Sequence, residues 1–170
     1  GPSDCVPRLG HADPAAPSAH LRDVPPSGAP TPTPSWSTKA KAMIDAGTSH
    51  PATYYVAQYK AKTPPDLCPK YAFGRYLAAA TCAECHGADL TGVADFGLGL
   101  STPNLDIAAA YSEGELQRLL TTGIGKPPRD LGLMAAVGRG EFSYLTSRER
   151  DAIIAYFKAR AARCGARSKE

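Results

Sequence analysis

Large apolar side chains are thin over residues 1–35 and return at helical intervals once the chain passes residue 69. Ile153, Ile154, Tyr156 and Phe157 fall at the i, i+3, i+4 spacing that lines one face of an α-helix. Thr146-Ser147-Arg148-Glu149, just before them, has capping-box spacing and predicts a helix running to about Arg163. Ser112-Glu113-Gly114-Glu115 repeats that signal ahead of Leu116, Leu119 and Leu120, and Gly123 marks where this helix stops. Another helix is expected over Tyr71–Ala80, a stretch rich in alanine and aromatic residues. No run of useful length alternates apolar and polar positions, so the compact part, residues 69–165, is expected to be all-α.

Upstream the pattern weakens. Residues 36–68 read as an extension with two short helices, one over Lys39–Ala46 ending at Gly47 and one after Pro51 running through Tyr54, Tyr55 and Tyr59. Thr63-Pro64-Pro65 then breaks the chain. Residues 1–35, with Ala15-Ala16-Pro17, Val24-Pro25-Pro26 and Thr31-Pro32-Thr33-Pro34, hold too few large apolar groups to offset the entropy of ordering. They read as an extended proline-rich arm.

Composition narrows the classes of function. The chain is 170 residues long and 43% apolar, enough for one modest core. No apolar run is long enough to span a bilayer, which predicts a soluble protein without a membrane span. No charged-apolar-small leader opens the chain, although Gly1-Pro2 reads as the remnant of a cleaved tag, behind which an export leader could have stood. The net charge of +3 comes without a dense Lys/Arg block, so nucleic acid is not an expected partner and an acidic protein is. Five cysteines are many for a reducing compartment and point to the periplasm.

The chemistry concentrates in Cys82-Ala83-Glu84-Cys85-His86, a Cys-x-x-Cys-His haem-attachment signature. Two thiols at this spacing reach the two vinyl groups on one edge of a porphyrin, and the adjacent histidine is held beneath the iron. A thioredoxin-like thiol pair would be expected beside a βαβ pattern, and a structural zinc site would need a second ligand pair; neither accompanies the motif. The signature occurs once, so one covalent haem c is expected. A sixth ligand is expected from a thioether, which favours the ferrous state. Of the two methionines, Met134 lies in a Gly132–Ala136 loop beyond the histidine and is the candidate, with His86, for the metal; Met43 reads as packing. His11, His20 and His50 read as solvated. Gly123-Ile124-Gly125-Lys126 lacks the spacing of a phosphate loop, and no second constellation supplies acids, bases or a nucleophile. A six-coordinate iron has no open site, so the expected role is single-electron transfer and not catalysis. The alternatives are a haem subunit of a larger dehydrogenase or oxidase complex and a haem enzyme or gas sensor with an open distal site.

From about Tyr71 to Lys158 the chain resembles a class I cytochrome c, especially cytochrome subunits that accept electrons from periplasmic dehydrogenases. The resemblance rests on Gly74, Cys82-Ala83-Glu84-Cys85-His86-Gly87, Thr102-Pro103-Asn104-Leu105, Met134 and Asp151-Ala152-Ile153-Ile154-Ala155-Tyr156-Phe157-Lys158. It implies that the N- and C-terminal helices of the haem domain cross at Gly74 and Tyr156. It further implies that the Pro103 carbonyl accepts a hydrogen bond from the outer nitrogen of His86, and that Arg129 pairs with a haem propionate. Lys126, Arg129 and Arg139 flank the ligand loop and read as a basic rim for a redox partner with an acidic docking face. Because the two helices cross in that family, Cys68 and Cys164 are expected to pair in a disulfide; Cys5 is the alternative partner for either. The N-terminal arm has no counterpart in the resemblance.

Overall fold

A computed structural model describes residues 10, 12–33, 35–50, 52–97 and 100–167. The chain divides into two units, Gly1–Ala61 and Lys62–Glu170. The described residues of the first unit form three helices: α1 (Ala12–Asp23), α2 (Thr38–Asp45) and α3 (Ala52–Ala61). The two short helices expected here are present. Ser37 caps α2 by accepting a bond from the Ala40 amide at 3.1 Å, and α2 buries none of its residues.

Helix α1 corrects the reading of residues 1–35 as an extended arm. Asp13 sits in its first turn and His20 and Arg22 in its last, the charge order that suits a helix dipole. Pro14 falls in the first turn, where its missing amide costs nothing, while Ala15, Ala16 and Ala19 are strong helix formers. Only Pro17 removes an internal bond.

The second unit begins at Lys62, upstream of the boundary expected at Pro69. The reason lies in the carbonyls of the Pro64-Pro65 break: that of Pro64 accepts from Arg75 Nε at 2.8 Å and that of Pro65 from the Tyr156 hydroxyl at 2.9 Å. A 3-10 turn (Pro69–Tyr71) leads into α4 (Ala72–Thr81) and the short α5 (Ala83–His86). Two short strands, β1 (Val93–Gly97) and β2 (Leu100–Thr102), form an antiparallel pair. A 3-10 segment (Leu105–Ala110), α6 (Glu113–Thr122), α7 (Leu133–Gly140), a 3-10 turn (Phe142–Tyr144) and α8 (Ser147–Arg167) complete the unit. Among the described residues the architecture is all-α apart from that strand pair, which the sequence pattern did not suggest.

Both capping boxes form. Ser112 Oγ accepts from the Glu115 amide while Glu115 accepts from the Ser112 amide at 2.7 Å. Thr146 and Glu149 do the same, at 3.3 and 2.7 Å. Helix α8 packs on α4, on α6 and on the Leu105–Ala110 segment. Its stripe of Ile153, Ile154, Tyr156 and Phe157 is buried with Leu116 and Leu120 of α6, Ala78 of α4, Leu90 and Phe142. Each such aliphatic side chain contributes about 1.5–3 kcal/mol by leaving water. At the α4–α8 crossing Gly74 leaves no room for a side chain: a Cβ there would lie 2.0 Å from the Ala152 carbonyl oxygen and 2.9 Å from Tyr156 Cβ. The crossing is therefore built at the two residues expected.

Candidate haem site

The attachment motif sits where α4 gives way to α5. The His86 amide donates to the Cys82 carbonyl at 3.0 Å, a single helical turn that puts Cys82 and His86 on one side with Cys85 beside them. Cys82 and His86 are buried and Cys85 is half-buried. Neither thiol is in a disulfide. Burial, and after it the charge of Glu84, pushes the Cys85 thiol up from its ordinary value, which keeps it protonated.

Two segments hold the histidine. Gly87 takes a φ of +82° and turns the chain back, so that the Gly92 amide reaches the His86 carbonyl at 2.8 Å. The returning chain then packs against residues 102–104, with a Thr102 hydroxyl that donates to the Cys85 carbonyl at 2.7 Å and accepts from the Val93 amide at 3.0 Å. This places the Pro103 carbonyl 2.8 Å from His86 Nδ1. A carbonyl can only accept, so Nδ1 carries the proton and Nε2 keeps its lone pair. Burial lowers the basicity of this imidazole, outweighing the opposite effect of the Pro103 bond, and favours the neutral ring.

Cys82, Cys85 and His86 line one cavity of about 470 Å³ together with Pro103, Arg129 and Met134. Leu105, Leu116, Leu119, Leu120, Leu131, Val137, Phe142 and Phe157 make its remaining wall largely apolar. Met134 is on the first turn of α7 and not in a loop, as its flanking glycines had suggested. Gly132, at φ +60°, is the turn residue, and its amide donates to the Asp130 carboxylate at 2.6 Å. Gly138 lies within the helix, where the lack of a side chain lets α7 approach α6: a Cβ would meet the Leu119 carbonyl oxygen at 2.5 Å.

A sequence profile of the cytochrome c family matches residues 71–160. The chain belongs to the cytochrome c family. Comparison with curated proteins found no match, and comparison with solved structures found none. The matched region spans the attachment motif, the cavity and the crossing helices, so this cytochrome c binds covalent haem c with its iron and functions in haem-based electron transfer. The residues present fit that group: two thiols at vinyl-linking spacing, an imidazole nitrogen with a free lone pair, and an apolar chamber bordered by one guanidinium. When bound, the haem supplies a one-electron ferric–ferrous couple. The apolar wall disfavours added net charge and so favours the ferrous state.

The other candidates fall elsewhere. Met43 is on α2 in the first unit and is exposed. His20 is exposed on α1, His50 stacks on Tyr54 with ring centroids 3.9 Å apart, and His11 lies outside the described residues. Cys68 is half-buried and forms no disulfide with a described residue; Cys5 and the side chain of Cys164 lie outside those residues, and with them both expected pairings. The basic rim is modified by its neighbours: Lys126 Nζ is 3.1 Å from Glu115 and also donates to the Ala110 carbonyl, and Arg139 is 3.4 Å from Asp130. Arg129 is exposed at the cavity border. Among the described residues no group of three His, Cys, Asp or Glu side chains is placed to hold a metal ion, and no helix is long and apolar enough to cross a membrane.

Sequence reasoning missed Arg160. It is 4% exposed and pairs with Asp106 at 2.8 Å and with Asn104 Oδ1 at 3.1 Å. The signal was present: Arg160 continues the Ile153, Tyr156, Phe157 stripe at helical spacing, so a charge there falls on the buried face.

Proposed function

We propose that this cytochrome c is an exported single-haem electron carrier whose iron is bound axially by His86 and Met134. The observation that carries this reading is that His86, with its Nε2 lone pair free, and Met134 border the same cavity as the two attachment cysteines. Met134 is the sole thioether of the Lys62–Glu170 unit. Thioether ligation closes the iron to substrates and raises its potential, which suits passage of electrons over chemistry on a bound molecule. Arg129, at the cavity border, pairs with a propionate. Periplasmic residence follows from the five cysteines, and the donor or acceptor is a redox protein with an acidic face, a dehydrogenase or oxidase being the natural class.

The test is Met134→Ala. Haem stays attached through Cys82 and Cys85, the far-red band of ferric thioether ligation disappears, ferrous protein binds carbon monoxide, and the potential falls by on the order of 0.1 V. An unchanged spectrum and potential would refute the ligand assignment.

A further inference from the structure

The geometry points to Arg160 as a positioning residue that tunes the haem potential by fixing the Pro103 carbonyl against His86 Nδ1. One buried guanidinium spans the two turns that frame the histidine. On one side it reaches Asn104 Oδ1 at 3.1 Å and the Asp106 carboxylate at 2.8 Å, immediately after Pro103; on the other it reaches the Asp89 carbonyl at 3.4 Å, in the turn that follows His86. Asn104 in turn accepts from the Asp106 amide at 2.9 Å, so the arginine grips a closed turn and not a loose side chain. The Leu105 amide ties the same two segments by donating to the Leu90 carbonyl at 3.0 Å.

The far side of Pro103 is equally constrained. A Cβ at Gly92 would lie 2.8 Å from the Pro103 carbonyl carbon and 2.8 Å from the Asn104 nitrogen, so the proline backbone rests directly on the Gly92 backbone. Arg160 from α8 and Gly92 from the returning turn therefore leave the carbonyl little freedom. A strong Nδ1–H···O bond makes the imidazole a better electron donor through Nε2, which favours ferric iron and holds the potential down. Loosening the turn weakens that bond and lets the potential rise. This inference rests on His86 as an iron ligand in the preceding reading.

The experiment uses full-length haem-loaded protein, with potentiometry and the His86 Nδ1–H resonance of the reduced, ¹⁵N-labelled form. Arg160→Lys keeps the charge but loses the fork. Asn104→Ala changes no charge, and its exposed side chain makes the fold tolerant of the change. Both variants are expected to raise the potential and move the Nδ1–H resonance upfield with the haem still attached. A loss of thermal stability with potential and resonance unmoved would overturn the proposal and leave Arg160 a purely structural residue. If Arg160→Lys does not accumulate, Asn104→Ala decides by the same two readouts. Absence of a haem-shifted His86 Nδ1–H in the unsubstituted protein would instead strike at His86 ligation, so the two failures are distinct.

Discussion

Gly74 illustrates how one missing methyl group sets a helix crossing. In an isolated helix alanine is favoured over glycine by about 1 kcal/mol, so propensity alone would make Gly74→Ala stabilising. The Cβ would enter the space of the Ala152 backbone at 2.0 Å, and a backbone oxygen has no rotamer by which to yield. Overpacking of this kind costs about 1–3 kcal/mol or more, and the steric term wins. Gly74→Ala is therefore expected to lower the thermal midpoint by several degrees, as read by calorimetry. No change or a rise would mean that the helices separate at no cost. At this scale the residues that line the candidate cavity could be picked out because their chemistry is written in residue type: thiols, imidazole and thioether. Arg160 could not, because a charge near the end of a helix reads as solvated until the buried face is counted through to it.

Helix starts were legible from their caps, and the two boxes carry a pH dependence that can be signed. Glu115 is held at about 2, well below the ordinary 4.5, first by the Ser112 amide and then by Lys126. Its folded value is depressed, so its contribution is fully present above about 4.5 and is lost as pH falls towards about 2. Glu115→Gln should flatten the acid arm of the stability curve within that window, measured by circular dichroism on acid titration; an unaltered arm would remove Glu115 as its source. Elements without such caps were harder to see. Helix α1 was hidden by its prolines, of which Pro14 is harmless in the first turn and Pro17 removes a single internal bond, and the first turn of α7 by glycines, one of which serves close packing against α6 and not a turn. The β1–β2 pair mixes Asp, Gly and Ser with its few apolar residues and so shows no alternation.

Across the Lys62–Glu170 unit, the Tyr156 hydroxyl joins the unit's first residues to its last helix by its bond to the Pro65 carbonyl. Burial raises this phenol from its ordinary 10 to about 12. A raised folded value contributes stability below about 10 that is lost as pH climbs through about 12. Tyr156→Phe should cost about 1 kcal/mol at neutral pH and remove that alkaline loss; denaturant titrations at neutral and alkaline pH compare the two. The division of the chain near Ala61 was only approximately legible, because the carbonyls that draw Pro64 and Pro65 into the second unit are used by side chains far along the sequence. The same distance has a consequence for the growing polypeptide. Phe157 lines the cavity and Ala152 receives Gly74, yet both belong to α8, which is synthesised long after α4. Until that helix emerges, α4 lacks the neighbour that Gly74 is shaped to receive, so the crossing cannot form while the chain is still being extended through α7. The order of residues along the chain thus makes the closing of this crossing a late event, dependent on contacts between residues some eighty positions apart.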